Sequence, residues 1–362
     1  MSTPQNPVVT TPSGITFVTG GTGHVGANLV RRLLRDGQAV RCLVEPGADR
    51  APFRGLDVEL VEGDLRDYDA MVRVTRGVNH VYHVAAKISV LSPNDREFKE
   101  LFDVNVTGTR NVMQASLENG VKRAVLTGSF SAVGYDPMDP SKASTDSMPF
   151  WPFDPAVLPY AHTKALAEHE MLKVVADGLD AVIATSCSCI GPWDFIPSRM
   201  GRTLCDFANG KVRAFVPGGF EFVNATDLAD GHIRAMERGR KGHKYVFATA
   251  FHTLEELIVM WRETVGPRSR PVMLPAGLLS AVSKIYSGGL YRLFSKKTPR
   301  LTPGSIRILQ MHRHADTTKA RTELGWQPTT MREAVRDAYE FFAAEGKIDR
   351  GSLVSVPATI TR

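Results

Sequence analysis

Two groups of residues in this chain have types and spacings suited to chemistry. Tyr160-Ala-His-Thr-Lys164 places a phenol and an ammonium four residues apart. On a helix opened by Pro159 in its first turn, both side chains project from one face. A free tyrosine ionises at a pKa of about 10, too high for efficient proton exchange at neutral pH. A neighbouring lysine cation favours the phenolate, which makes Tyr160 a candidate general acid or base for an alcohol–ketone pair. The second group is Ile15-Thr-Phe-Val-Thr-Gly-Gly-Thr-Gly-His-Val-Gly26, a β-prone run that feeds a glycine cluster, with an amphipathic helical pattern at 27–35 behind it. Such a turn lets backbone approach a pyrophosphate, and the helix start supplies free N–H groups. Its glycines read as Gly21-x-Gly23-x-x-Gly26 or as Gly20-x-x-Gly23-x-x-Gly26. Ser129 lies just beyond the apolar run 124–126, at the strand edge where open α/β sheets bind ligands. Its hydroxyl can hold a substrate oxygen against Tyr160. Thr127 and Ser131 compete for that role, since small hydroxyl residues also finish strands by bonding backbone.

These groups need a frame, and the first half of the chain supplies one. Strand-like runs at 15–18, 39–44, 58–62, 80–84, 124–126 and 181–184 alternate with helical patterns near 25–36, 67–76, 97–119 and 160–177. Gly37, Gly77, Gly120 and Gly178 each follow a helical pattern, where a left-handed cap is wanted. The expectation is α/β: a Rossmann-like, doubly wound parallel sheet spanning 14–186, with 221–250 returning to it. After Gly191 the rhythm breaks. Segments 187–220 and 251–350 are expected to form a smaller, discontinuous C-terminal substrate lobe, between a loose arm at 1–13 and a tail at 351–362.

Composition narrows the classes. Apolar residues make up 43% and charged residues 23% of the 362, which suits a globular enzyme and argues against disorder. The net charge of +6 comes from scattered basic residues without an aromatic-interleaved stripe, so nucleic acid is not expected as a partner. Cys42, Cys187, Cys189 and Cys205 form no Cys-x-x-Cys pair, and Cys187 and Cys189, alternating within 184–190, read as small core residues. His80 and His83, like His312 and His314, lack convincing metal spacing, so no metal is expected. No signal-peptide pattern or membrane-length apolar run is present, giving a cytoplasmic expectation. The stretch 273–300 mixes leucines and tyrosines with Lys296, Lys297 and Arg300, which suits peripheral membrane contact or packing on the second lobe.

Further motifs follow in order: Gly63-Asp-Leu-Arg-Asp67, His83-Val-Ala-Ala86, Asn105-Val-Thr-Gly-Thr-Arg-Asn-Val112, Phe222-Val-Asn-Ala-Thr-Asp-Leu-Ala229 and Lys319-Ala-Arg-Thr-Glu-Leu-Gly-Trp-Gln-Pro328. With the glycine turn, Ser129 and Tyr160-x-x-x-Lys164, the chain resembles the extended short-chain dehydrogenase/reductase superfamily. Within it, the sequence is most similar to the dihydroflavonol-reductase and 3β-hydroxysteroid-dehydrogenase branch, and is also similar to bacterial proteins labelled hopanoid-associated sugar epimerases. The resemblance implies an NAD-dependent oxidoreductase, with NADP as the alternative. It implies that Tyr160 moves the proton, Lys164 binds the nicotinamide ribose and lowers the Tyr160 pKa, and Ser129 orients the carbonyl. Gly20, Gly23, His24, Val25 and Gly26 would surround the pyrophosphate. Asp64 and Leu65 would contact adenine, while Ala85 and Ala86 would line the cofactor. Asn105 would steady the central helix or a proton-relay water. Ser186 and Cys187 would approach the nicotinamide, although Thr185-Ser-Cys187 replaces the Asn-Pro-Ser-like segment of relatives.

Glu45, nineteen residues past Gly26, stands where related reductases often carry arginine. A carboxylate there accepts ribose hydroxyls and repels a 2′-phosphate, which favours NAD. Arg41 and Arg50 are the route back to NADP. The small-molecule substrate is expected against Lys87–Leu91, Trp193–Ile196 and Phe215–Phe222, with Lys87, Ser131, Trp193, Phe195 and Phe220 as contacts. Phe150, Trp151 and Phe153 could add a wall, and Pro217-Gly-Gly219 a lid hinge. These aromatics suit a bulky apolar alcohol of steroid, sterol or dihydroflavonol type. Arg199, Arg202 and Arg213 keep sugar-nucleotide epimerisation open, since the same triad serves it. Helices around 97–119 and 160–177 could pair two copies into a homodimer, as they do in relatives.

Overall fold

A computed structural model of the protein describes residues 14–88, 95–136, 138–139, 141–149, 159–275 and 303–354. The expected arm (1–13), residues 89–91, the Phe150–Trp151–Phe153 wall, the greater part of the 273–300 stretch and the end of the tail lie outside them.

Seven strands form the main sheet: β1 (Ile15–Thr19), β2 (Ala39–Val44), β3 (Glu59–Glu62), β4 (Val78–His83), β5 (Arg123–Ser129), β6 (Ala181–Ser186) and β10 (Lys244–Phe247). Their spatial order is β3-β2-β1-β4-β5-β6-β10, and every pairing is parallel. The order reverses between β1 and β4, so a crevice opens outside their carboxyl ends.

Period-two alternation explains why both sheet faces are apolar. Val18, Val125, Val182 and Ala184 bury against α1 (His24–Arg35), α7 (Ala225–Arg238) and α10 (Thr318–Leu324). Their neighbours Phe17, Ala124, Leu126, Ala181 and Ile183 face α2 (Tyr68–Val74), α4 (Gly108–Glu118) and α5 (Pro159–Ala176). The expected single helix over 97–119 is in fact two, α3 (Asp95–Phe102) and α4, joined by a π-helical turn at Asp103–Thr107. Such wide turns often accompany functional sites. Here the turn carries the buried Asn105.

The second core gathers α6 (Arg199–Ala208), α8 (Leu254–Val265) and α11 (Met331–Ala344) around Phe207, Phe222, Trp261, Tyr339 and Phe342. Capping boxes begin two of these helices, Thr253 with Glu256 and Thr330 with Glu333. A three-stranded sheet joins this lobe to the first: β7 (Ser188–Ile190) pairs parallel with β9 (Gly219–Asn224), which pairs antiparallel with β11 (Ala250–Thr253). A short parallel pair, β8 (Ala214–Phe215) with β12 (Val272–Met273), and α9 (Pro303–Gln310) complete the described elements. No helix among the described residues is long and apolar enough to cross a membrane.

Candidate active site

The glycine turn sits at the carboxyl end of β1, and the geometry selects between its two readings. Gly20 has φ +73°, and a Cβ there would lie 2.6 Å from the Ala85 nitrogen. A Cβ on Gly26 would meet the Gly20 carbonyl oxygen at 2.1 Å. Gly21 packs instead against Phe53 and Cys42. Gly20, Gly23 and Gly26 therefore build the turn, and the Gly23 N–H donates to the Gly20 carbonyl at 3.0 Å. Gly23 caps α1 without a side-chain bond, so the first amides of the helix stay available for phosphate oxygens. These residues fit a dinucleotide. Ala85 and Ala86 are partly exposed on the opposite lip, and Thr19 Oγ1 accepts the Ala85 N–H at 3.2 Å.

Other residues expected at the cofactor are committed differently. The His24 ring lies 3.2 Å from the Gly191 carbonyl, and Asn28 donates to the Pro192 carbonyl at 2.8 Å, stitching α1 to the chain beyond β7. Val25 packs on the sheet core. Asp64 accepts the Arg66 guanidinium, which lowers its pKa. Leu65 is buried, with its carbonyl accepting from Asn111. Glu45 is exposed at the end of β2. Arg41 is held by Glu59 and the carbonyls of Val74 and Arg76, and Arg50 pairs with Glu62.

Ser129 ends β5 directly opposite Ser186 at the end of β6. Its hydroxyl is 2.8 Å from that of Ser131 and hydrogen-bonds Tyr160. Burial raises the Tyr160 pKa, and the Ser129 bond opposes that rise. Lys164 is buried and donates to the Thr127 carbonyl at 2.7 Å. Burial lowers its pKa to about 8 against the pull of Glu168 one turn on. Glu168 is fully buried and pairs with Lys244 at 2.5 Å.

Asn105 ties these parts together. Its amide oxygen accepts the Lys87 N–H at 2.7 Å, while its nitrogen donates to the Lys87 carbonyl and to Thr163. Thr163 donates to the Tyr160 carbonyl. The loop after β4 is thus fastened to the helix that carries Tyr160. A second chain runs through the buried His83, 2.7 Å from Thr19 Oγ1 and 3.0 Å from Thr109 Oγ1, with Thr109 donating to the Asn105 carbonyl.

His83 and His232 are held neutral chiefly by burial, with pKa values of about 3 and about 4 against the usual 6.5. The unfolded chain takes up these protons below pH 6.5, whereas the fold resists until its lowered pKa values are reached. Their stabilisation is complete above pH 6.5 and is lost as pH falls through that window. The thermal midpoint should therefore drop between pH 6.5 and 4. The slope should be shallower in His232→Gln, and an unaltered slope would remove this cause.

On the substrate side, several expected contact residues have partners within the protein. Trp193 and Phe195 stack on one another and against Phe341, beneath Arg31 at 4.2 and 4.9 Å. Their rings join α1 to the second lobe. Lys87 pairs with Glu100, and Phe220 packs edge-on to Phe222. Ser186 donates to the Cys187 carbonyl. A Cβ on Gly218 or Gly219 would strike the carbonyls of Leu309 or His252 at 2.6 and 2.5 Å, so these glycines permit close packing where a hinge was expected.

Sequence reading missed two buried charged residues at the seam between the lobes. Arg313 lies over the Phe130 and Tyr135 rings at 4.6 and 5.3 Å and donates to the Val133 and Gly134 carbonyls and to Ser144. Glu221 accepts the Ala315 N–H at 2.9 Å, with His314 Nδ1 3.6 Å from the same oxygen. A carboxylate in the otherwise apolar run 220–223 was the available signal.

A model of the NAD-dependent epimerase/dehydratase family matches residues 16–248. Sterol demethylase protein B of Methylococcus capsulatus is 41% identical over 92% of this chain and 99% of its own length. A 3β-hydroxysteroid-dehydrogenase/decarboxylase of Arabidopsis thaliana is 28% identical over 90% of this chain and 79% of its own. Among solved structures, gox2253 shares 32% identity at a TM-score of 0.78, covering 93% of this chain and 100% of that one.

Proposed function

Because the chain belongs to the NAD-dependent epimerase/dehydratase family, we propose that it interconverts a secondary alcohol and a ketone on a bulky, largely apolar ring system of sterol or steroid type. The observation that supports this reading is the Ser129–Tyr160 hydrogen bond at the carboxyl end of β5, with Lys164, one turn on from Tyr160, donating to the Thr127 carbonyl of the same strand. The sterol class is supported by the 41% identical Methylococcus protein, whose name refers to sterol demethylation.

Bound NAD would take the hydride from the carbinol carbon or return it. Tyr160 removes the hydroxyl proton during oxidation and restores it in reduction. Ser129, already hydrogen-bonded to that phenol, holds the substrate oxygen in line. Lys164 spends one donor on the Thr127 carbonyl and keeps others for the ribose hydroxyls. Lys164, together with the charge of a bound oxidised nicotinamide, would favour the Tyr160 phenolate against the rise that burial causes. Asn105 positions the Tyr160 helix against the cofactor loop.

The test is net reduction of NAD by the purified protein with hydroxysteroids, sterols, simpler secondary alcohols and sugar nucleotides. NADH formed from a sterol-type alcohol is the expected result. A sugar nucleotide epimerised without net NADH would replace this reading. For the cofactor, Glu45→Arg should raise the NADP/NAD ratio of kcat/KM by about tenfold, the worth of roughly 1.4 kcal/mol. Arg41 and Arg50 are already paired, which leaves Glu45 as the charge that discriminates; an unchanged ratio would sink this assignment.

A further inference from the structure

We propose that Glu221 is a second acid–base group of this site, exchanging a proton with the substrate carbon next to the carbonyl that Tyr160 serves. The inference rests on the dehydrogenase reading and adds a reaction to it.

Strand alternation fixes where the carboxylate points. On β9, Phe220 and Phe222 belong to the second lobe's core, while Val223 packs with Cys187 in the core of the main sheet. Glu221 shares the face of Val223 and so turns toward the first lobe, at the seam. Its charge acts on Cys187, the residue after Ser186, which lies in register with Ser129. Arg313 acts on the same cysteine and covers the ring of Phe130, the residue after Ser129. The carboxylate therefore stands at the strand ends where the ketone would form.

Its surroundings suit proton exchange. The side chain is 5% exposed and faces His314 Nδ1 at 3.6 Å, while Arg313 is bonded to Val133, Gly134 and Ser144. Burial raises its pKa to about 7, so both protonation states are populated near neutrality. Holding the Ala315 N–H needs only an acceptor, which an amide supplies equally well. A purely structural role would not require the carboxyl proton.

In the forward direction, the carboxylate takes a proton from the α-carbon. The C–H electron pair becomes the C=C bond, the carbonyl π pair moves to oxygen, and that oxygen takes the Tyr160 proton to give an enol. The reverse returns a proton, or a solvent deuteron, to the same carbon; exchange at the other flank follows from enolisation toward that side.

The experiment uses the full protein with NAD and 5α-cholestan-3-one in deuterated buffer, with deuterium at the carbons flanking the ketone read by mass spectrometry. Wild type should accelerate incorporation over buffer. Glu221→Gln should lose at least tenfold of it with unchanged NAD affinity and thermal midpoint. Glu221→Asp keeps the charge but withdraws it, and should also fall. Absence of wild-type exchange, or equal exchange in both variants, overturns the proposal. NADH formation from 5α-cholestan-3β-ol is scored separately. NADH without Glu221-dependent exchange defeats the carboxylate alone, and exchange without NADH defeats the dehydrogenase reading alone.

Discussion

Tyr160→Phe is expected to lower turnover by about 10²- to 10⁴-fold while leaving NAD affinity within about twofold, the range lost when a positioned proton-transfer group is removed. The substitution deletes one oxygen and keeps the ring, so the packing around α5 survives. Hydride transfer from an alcohol leaves a protonated carbonyl unless the proton departs with it, and Tyr160 is the group hydrogen-bonded to Ser129 at that point. NADH formation gives kcat, and fluorescence titration gives NAD affinity. Undiminished turnover would overturn the mechanism. On the proposed mechanism, Lys164→Met should instead damage both quantities, since it would remove a donor for the cofactor ribose together with a charge that favours the phenolate. It also removes one of the two lysine charges that act on the buried Glu168, whose pairing with Lys244 remains. The contrast separates a group that acts only on the reacting proton from one that also binds the cofactor.

The main sheet was legible because both of its signals are local. Buried parallel strands read as short apolar runs, and the glycines at 37, 77, 120 and 178 adopt the positive φ that closes a helix. Tyr160 and Lys164 were legible for the same reason: their relation is a helical spacing. The π turn at 103–107 was not legible, since its sequence carries an ordinary helical pattern and the widening accompanies Asn105's contacts with Lys87 and Thr163. The substrate side was less legible for another reason. Trp193 and Phe195 have the composition of a ligand wall, but an aromatic pair serves a cation equally well, and Arg31 lies over it. Glu221 and Arg313 are separated by 92 positions, and β9 and the segment after α9 bring both within charge range of Cys187. No spacing rule reaches across such a distance.

The glycine turn allows packing and ligand approach to be measured apart. Gly26→Ala places a Cβ 2.1 Å from the Gly20 carbonyl oxygen and 2.9 Å from the Gly21 Cα, and neither backbone atom can swing away. The turn must open, which should cost about 1–3 kcal/mol of stability and weaken NAD by at least tenfold. Gly23→Ala is different. Its φ of −81° suits any L-residue, and its Cβ would meet only the Gly20 carbonyl, at an ordinary 3.4 Å. The fold should hold its thermal midpoint within about a degree, because no strain is introduced. NAD affinity should still fall by about tenfold, since the added methyl occupies the space over the amides that begin α1. Thermal melts and NAD titrations of the two variants decide the matter. If Gly23→Ala binds NAD as tightly as wild type, the pyrophosphate does not approach α1 at this cap, and the cofactor enters the crevice by another path.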